Sequence, residues 1–343
     1  MKYIQTRFAR LSRLLPGIAL SFAAGIPAWF AGKTFPIIGG AVFAIIAGII
    51  AAAALRPRAG KPGIGFVSKK FLQWSIILLG FGMNIETVVR VGSGSLIVMA
   101  FTLSASFATA ALFRKILKIP GKQAALIGIG TCICGGSAIA AAAPVIGADE
   151  HDVAQSISTI FLFNIAAVFL FPALGRLIGL SDFGFGLWAG TAINDTSSVV
   201  AAASAWSEAA GTGEALEFAA IVKLTRTLLI IPVTVALSVY MGIQSRKGGT
   251  RGEFNLMKIF PWFVVGFLAA ALTASFSGID PAILKQLEGA GKFMIVVAMA
   301  AIGLSTDFKR IAHSGWKPIA LGLACWFAVS AVSLAVQGCS GYL

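Results

Sequence analysis

The sequence predicts an all-α polytopic membrane protein with about 11 transmembrane helices, and three observations lead to that fold class. Apolar residues make up 58% of the 343 residues, charged residues make up only 12%, and the mean hydropathy is +0.90. A soluble domain carries roughly 25% charged residues. Apolar runs of about 20 residues, long enough to cross a bilayer, recur along the chain. Strand-like alternation is absent, which argues against a β-barrel.

The apolar segments predict one transmembrane domain that occupies residues 1–343. The first segment follows four basic residues, and we expect it to be retained as a helix because it is long for a signal peptide and a second segment follows almost at once. By residue number, the predicted spans are about 14–31, 36–55, 66–82, 95–113, 123–147, 154–178, 184–206, 216–242, 259–277, 292–306 and 317–337.

The basic residues predict the orientation of these spans. If the N-terminus is cytoplasmic, 21 of the 27 lysines and arginines lie inside and only Lys33, Arg90, Lys285 and Lys292 lie outside. This bias predicts a multi-pass protein with its N-terminus in the cytoplasm and its C-terminus outside. The net charge of +14 then reflects topology and anionic lipid rather than a nucleic-acid partner.

A weak internal repeat relates the two halves of the chain. Residues 82–86 (Gly-Met-Asn-Ile-Glu) align with residues 303–307 (Gly-Leu-Ser-Thr-Asp), and each block ends one predicted span and leads into the next. The predicted topology makes the third span run outward and the tenth run inward. The sequence therefore indicates an inverted repeat, which is typical of secondary transporters.

Two predicted spans, 123–147 and 184–206, are interrupted by glycines and polar residues. Gly130, Thr131 and Ser137 in the first correspond to Gly190, Thr191 and Ser197 in the second. Interrupted segments of this kind are a sequence pointer to a transporter binding site. With 11 crossings, however, both would run in the same direction, unlike the partners of an inverted repeat. Either one segment is a re-entrant hairpin or the likeness reflects shared binding chemistry, and the sequence leaves both open.

The interruptions predict an anion site, because a helix that restarts inside the membrane presents free N–H groups and the positive end of its dipole. Glycines let the backbone approach a ligand, and hydroxyls can donate hydrogen bonds; tight helix packing is the alternative explanation for such small residues. The predicted substrate-binding residues are Thr131, Cys134, Gly135, Gly136, Ser137, Asn164, Thr191, Asn194, Thr196, Ser197, Ser198, Lys223 and Arg226.

Three charged residues within the spans have more than one interpretation. Asp195 is predicted to bind a coupling ion, Na⁺ or H⁺, or to pair with a cation. Lys223 and Arg226 are three residues apart on one helix face, where they could pair with Asp195, contact an anionic substrate or snorkel to the membrane surface.

The sequence offers little support for an enzyme or a metal protein. Cys132 and Cys134 form a C-x-C pair without an accompanying histidine or second cysteine pair, so that packing explains them better than a metal or redox site. Both histidines, His151 and His313, fall in predicted loops, away from any intramembrane nucleophile. We therefore expect no catalytic residues, no bound metal and no cofactor apart from a coupling Na⁺ or H⁺.

Specific stretches resemble a known family. Residues 133–141 and 143–146 resemble the signature of the YeiH family of bacterial inner-membrane proteins, also named UPF0324 and grouped as sulfate exporters. Residues 188–202 and 222–226 and the turn at 80–84 are similar to that family too, so the likeness covers nearly the whole chain. The combination of a turn and broken helices is also similar to the bile-acid/sodium symporter and NhaA-like superfamily.

These resemblances imply an inverted-repeat fold with interrupted crossing helices, interleaved panel and core subdomains, elevator-type alternating access and often a homodimer. The expected function is secondary transport of a small anion, such as sulfate, sulfite or an organosulfonate. A Na⁺- or H⁺-coupled importer of an organic acid is the alternative within transport. An intramembrane enzyme with Cys134 or Asp195 as the catalytic residue is the alternative of another class.

Overall fold

The computed structural model describes residues 2–36, 39–55, 60–245, 261–306 and 315–342, and the secondary structure within these ranges is helical. The repeat residue Asp307, His313 and the basic residues at 56–59, 246–260 and 307–314 lie outside the described residues. The helices are α1 (Lys2–Thr34), α2 (Gly40–Leu55), α3 (Lys61–Phe66), a π-helical turn (Val67–Phe71), α4 (Leu72–Gly80), α5 (Ile85–Leu117), α6 (Gly121–Cys132), α7 (Gly136–Ile146), α8 (Glu150–Leu177), α9 (Asp182–Ala192), α10 (Thr196–Ala210), α11 (Glu214–Leu228), α12 (Ile230–Ser245), α13 (Trp262–Phe276), α14 (Pro281–Leu304) and α15 (Trp316–Ser340).

The apolar helices confirm that the chain is a polytopic membrane protein. Within the described ranges, six helical stretches are long and apolar enough to cross a bilayer: Arg13–Thr34, Ile85–Leu117, Glu150–Leu177, Glu214–Leu237, Pro281–Leu304 and Trp316–Ser340. Three shorter apolar helices, α2, α7 and α13, accompany them. The helix at the tenth predicted span begins well before residue 292, because Asp280 caps its first turn by accepting the N–H of Ala282 at 2.8 Å.

The chain divides into two compact units, each assembled from three separate stretches. Unit 1 comprises Met1–Val88, Val200–Glu217 and Trp262–Asp307, and unit 2 comprises Val89–Val199, Phe218–Pro261 and Phe308–Leu343. The assignment of a panel and a core subdomain to these units stays a prediction.

Within unit 1, α2 and α14 pack closely because each has a glycine at the contact. A Cβ added at Gly48 would lie 2.3 Å from the carbonyl oxygen of Ala300, and one added at Gly303 would lie 2.3 Å from that of Ile45. Small residues are what allow helix backbones to approach in a membrane. At the N-terminus of α2, the Oε2 atom of Glu208 accepts the N–H of Gly40 at 2.8 Å. A carboxylate at this position also interacts favourably with the positive end of the helix dipole.

Unit 2 contains a re-entrant hairpin made of α6 and α7. The ammonium group of Lys122, at the start of α6, donates to the carbonyl oxygen of Gly147, just after the end of α7, at 2.6 Å. A straight course over those 25 residues would separate the two positions by roughly 37 Å, at 1.5 Å per residue. A Cβ on Gly130 would likewise meet the side chain of Ile139 at 2.8 Å. The chain therefore reverses between α6 and α7.

The sequence predicted a span over 123–147 and left open whether one of the two interrupted segments is a hairpin. The structure shows that this segment is the hairpin. Segment 123–147 folds back on itself instead of forming one continuous span, because its two ends lie together; the sequence showed only that it was long and apolar enough to cross. The start of α6 also lies beside the start of α8, where Gln123 Nε2 donates to Gln155 Oε1 at 2.5 Å. Since α8 has 28 residues, roughly 42 Å in length, α9 begins at the opposite end of unit 2 from α6.

The hairpin can be tested by the accessibility of single cysteines. In a Cys339→Ser background, which removes an exposed thiol and leaves three buried ones, we expect Lys122→Cys and Asp149→Cys to react with an impermeant maleimide from the same side of oriented vesicles. Gly179→Cys, in open space beyond the far end of α8, is the control and should react from the other side. Reaction of positions 122 and 149 from opposite sides would show that 123–147 crosses.

Candidate functional site

The tip of the α6–α7 hairpin lies against the interruption between α9 and α10. Gly135 forms the tip with φ +66° and ψ −129°, a conformation that residues with a side chain rarely adopt. A Cβ added at Gly135 would lie 3.6 Å from the Cβ of Asp195 and 3.7 Å from Nδ2 of Asn164. The structure thus brings together the two interruptions that the sequence singled out.

Lys223 of α11 joins the two interruptions directly. Its side chain is fully buried, and its ammonium group donates to the carbonyl oxygens of Ile133 at 2.8 Å, Ile193 at 3.0 Å and Asn194 at 2.5 Å. Ile133 belongs to the hairpin tip, whereas Ile193 and Asn194 lie between α9 and α10. One cation therefore binds the backbone of both broken segments.

Arg226, one turn further along α11, makes the same kind of contact and is also fully buried. Its Nε donates to the carbonyl oxygen of Cys132 at 2.7 Å, and one terminal nitrogen donates to that of Thr131. The other terminal nitrogen donates to Ile193 at 3.1 Å and to Gly190 at 3.4 Å. The guanidinium group spans the last turns of α6 and α9.

These contacts have a clear electrostatic reason. The last four carbonyls of a helix have no partner within it, and they form the negative end of the helix dipole. Because α6 and α9 enter unit 2 from opposite ends and both stop inside it, two such ends meet in the interior. Lys223 and Arg226 supply the hydrogen bonds and positive charge that make this meeting stable. Neither side chain snorkels, because both are fully buried.

Asp195 caps the helix that follows the second interruption. Its Oδ2 atom accepts the N–H of Ser197 at 2.9 Å and the hydroxyl of the same serine. The Asp195 N–H donates to Oδ1 of Asn164 at 3.2 Å, which ties α8 to the interruption. An aspartate is a favoured residue at a helix N-terminus, and the geometry gives Asp195 this role. Its role in ion coupling stays a prediction.

The predicted binding residues separate into accessible and buried groups. Ser137 is exposed, and Gly136, Asp195 and Thr196 are half-buried. The buried members are Thr131, Cys134, Gly135, Asn164, Thr191, Asn194, Ser197, Ser198, Lys223 and Arg226. The accessible group consists of the first residues of α7 and α10 with their immediate neighbour. If a ligand binds here, these residues are the ones that it reaches without rearrangement.

Two predicted ligand hydroxyls are already engaged within their own helices. Thr131 Oγ1 donates to the carbonyl oxygen of Ile127 at 2.8 Å, and Thr191 Oγ1 donates to that of Leu187 at 2.6 Å. The Thr191 hydroxyl also lies 2.7 Å from the Ser333 hydroxyl. In this conformation each threonine hydroxyl binds a carbonyl in the last turns of its own helix, α6 or α9. The two threonines thus make the same contact at equivalent positions of the two interrupted segments.

Asn194 is the polar side chain at the centre of the site that lacks a partner. It is 1% exposed, and neither its Oδ1 nor its Nδ2 has a hydrogen-bond partner among the described residues. A buried amide without partners is unfavourable and calls for an explanation such as a bound water or ligand. Its carbonyl oxygen, by contrast, is held by Lys223.

The first turn of α7 is the electropositive part of the site. No side chain caps its N-terminus at Gly135, and the first residues, Gly136 and Ser137, are accessible. The negative ends of α6 and α9 are neutralised by cations, and the N-terminus of α10 is neutralised by Asp195. The N-terminus of α7 is therefore a positive helix end without a side-chain cap, and such an end favours an anion.

Sequence reasoning missed a cavity within unit 1. It has a volume of about 270 Å³ and is lined by Trp29, Gly32, Lys33, Pro36, Ser204, Ser207, Glu208, Thr212, Leu216, Lys292 and Val296. The ammonium group of Lys33 lies 5.1 Å from the centre of the Trp29 ring. The one available signal was that Lys33 and Lys292 are two of the four basic residues predicted to lie outside.

Relatives of this chain are themselves described as membrane proteins. A model of the family described as conserved hypothetical protein 698 matches residues 16–322. A UPF0324 membrane protein of Fusobacterium nucleatum is 47% identical over 95% of this chain and 98% of its own length. UPF0324 membrane proteins of Streptococcus mutans and Streptococcus agalactiae are 46% and 47% identical, over 94% and 95% of this chain and 96% and 98% of their own lengths. No solved structure matches. The chain belongs to the UPF0324 family of membrane proteins, the YeiH family that its motifs predicted.

Proposed function

We propose that this protein is a secondary transporter of a small anion, such as sulfate, sulfite or an organosulfonate, and not an enzyme. The observation that carries the proposal is the meeting of two interrupted helical segments around Lys223 and Arg226 inside unit 2. Broken helices that meet in the interior of a membrane protein are the usual construction of a secondary transport site.

The electrostatics of the site favour an anion as the transported species. Both helix C-termini at the site carry a resident cation, and no side chain forms a capping hydrogen bond at the N-terminus of α7. Backbone N–H groups at Gly136 and Ser137 and the hydroxyls of Ser137 and Thr196 could hold a tetrahedral oxyanion or a sulfonate. Asn194 Nδ2, which has no partner among the described residues, is a further donor in the interruption between α9 and α10.

We also propose that α9 and α10 form a second re-entrant segment, which enters from the side opposite to the first. The chain then crosses the membrane nine times, and the predicted N-in, C-out orientation in the bacterial inner membrane is retained. Compared with the topology of 11 crossings, Arg176 is the only basic residue that moves from the inside to the outside, so the excess of basic residues inside remains strong. Two re-entrant segments from opposite sides are also the partners that an inverted repeat requires, which removes the conflict in direction.

In this proposal, elevator-type alternating access moves the re-entrant segments and their anion relative to the rest of the protein, and the functional unit is a homodimer. The resemblance to the NhaA-like superfamily supports both expectations.

The transport proposal is tested by anion binding and flux. A ligand that binds the native state raises the melting temperature in proportion to the logarithm of its concentration above Kd. We expect sulfate, sulfite or methanesulfonate to stabilise the purified protein and to be taken up by proteoliposomes, and Ser137→Ala and Thr196→Ala to weaken both effects. Ser104→Ala, which removes an exposed hydroxyl from α5, is the matched control. No response to any of these anions in either assay would contradict the proposal.

A further inference from the structure

The carbonyl oxygens at the site form a cluster of the kind that binds cations. Lys223 and Arg226 donate hydrogen bonds to six backbone oxygens, which belong to Thr131, Cys132, Ile133, Gly190, Ile193 and Asn194. In secondary transporters with broken helices, unwound carbonyls and half-helix C-termini coordinate the coupling Na⁺. Here, protein side chains occupy the corresponding oxygens.

We propose that Lys223 and Arg226 are built-in replacements for a coupling cation, so that transport at this site does not depend on Na⁺. This inference rests on the proposed transport function. The charge that α6 and α9 need where they meet is covalently part of α11 and cannot dissociate during the cycle. The anion site keeps its geometry in any monovalent salt, and Na⁺ finds no free carbonyl cluster at this position.

The Lys223 side chain fills the space that a Na⁺ ion would need at this cluster. Its ammonium group lies between three carbonyl oxygens at 2.5 to 3.0 Å, drawn from both interruptions. When the side chain is shortened to a methyl group, the oxygens of Ile133 and Asn194 lose their cation, that of Ile193 keeps its contact with Arg226 at 3.1 Å, and space opens between them. Lys223→Ala therefore creates a latent Na⁺ site, whereas Lys223→Met removes the charge but fills most of the space.

Alternative cation positions at the site are limited. One oxygen of the Asp195 carboxylate is engaged by Ser197, and Thr131 and Thr191 direct their hydroxyls to their own helices. Among the described residues, no group of three or more His, Cys, Asp or Glu side chains is placed to hold a metal ion. The carbonyl cluster corresponds to the half-helix C-termini at which such transporters bind Na⁺, and here it is occupied by Lys223 and Arg226.

The test measures Na⁺ dependence in the purified protein and in proteoliposomes. For the wild-type protein, we expect the same melting temperature and the same anion flux in sodium and in choline salts. For Lys223→Ala, we expect a lowered melting temperature in choline and a rise of about 2 °C or more on addition of Na⁺. Lys223→Met should be lowered in both salts without a Na⁺ response.

Two outcomes would overturn the inference while leaving transport intact. One is a wild-type flux that falls by roughly tenfold or more when choline replaces Na⁺, equivalent to the loss of a substantial binding interaction. The other is a Lys223→Ala protein that folds but shows no response to Na⁺. If that variant does not fold, the wild-type flux decides. Absence of anion flux in both salts, without any stabilisation by anions, would instead overturn the proposed function.

Discussion

Replacing Arg226 with methionine is expected to be the most destabilising single substitution in unit 2. The guanidinium group is fully buried and donates to four carbonyl oxygens, which belong to Thr131, Cys132, Gly190 and Ile193. Methionine fills much of the volume but takes the guanidinium donor away from the oxygens of Thr131, Cys132 and Gly190, whereas the Ile193 oxygen keeps its contact with Lys223. A buried hydrogen-bond acceptor that loses its donor typically costs about 1–3 kcal/mol, and several carbonyl oxygens lose a donor here.

The measurement is the unfolding of purified protein in detergent, followed by chemical denaturation and by melting temperature. Arg90→Met, which removes an exposed arginine from α5 in the same unit, is the matched control and should leave the melting temperature nearly unchanged. Arg226→Lys should retain part of the stability, because an ammonium group keeps the charge but cannot reproduce the forked contacts. Equal unfolding of Arg226→Met and wild type would show that the buried contacts do not stabilise the fold.

The sequence predicted the interruptions accurately because their causes are local. Gly135 and Gly136 weaken a helix wherever they stand, and Asp195 is a good capping residue in any context. The first break falls between α6 and α7 and the second between α9 and α10, within the predicted segments 123–147 and 184–206. Their likeness to each other was also visible, because it depends on residue identity alone.

The hairpin could not be predicted in the same way. Hydropathy measures whether a segment is long and apolar enough to cross, and 123–147 satisfies that condition. Reversal depends instead on the backbone of one residue, Gly135, and on contacts between distant positions such as Lys122 and Gly147. The same limit applies to Lys223 and Arg226. Their spacing showed a shared helix face, but their partners are backbone carbonyls, which leave no mark in the sequence.

The backbone of Gly135 leads to the second large expected effect, in which Gly135→Ala abolishes most anion transport. Space is not the obstacle, because the added methyl group would meet only ordinary contacts, the nearest at 3.4 Å from Ile160. The obstacle is the conformation of φ +66° and ψ −129°, which an alanine adopts at a strain of about 1–3 kcal/mol. The hairpin tip relieves that strain by moving, and both Ile133, which binds Lys223, and the first turn of α7 move with it.

Gly179→Ala separates this effect from strain in general. Gly179 also has a positive φ, +71°, and an added Cβ there meets nothing within 4 Å, but it lies beyond the end of α8 and away from the interruptions. Both variants are expected to lose some stability, whereas only Gly135→Ala should lower anion flux by roughly tenfold or more, the change that about 1.4 kcal/mol produces in an equilibrium. Flux would be normalised to folded protein in proteoliposomes. Equal losses in the two variants would mean that the geometry of the hairpin tip does not set transport.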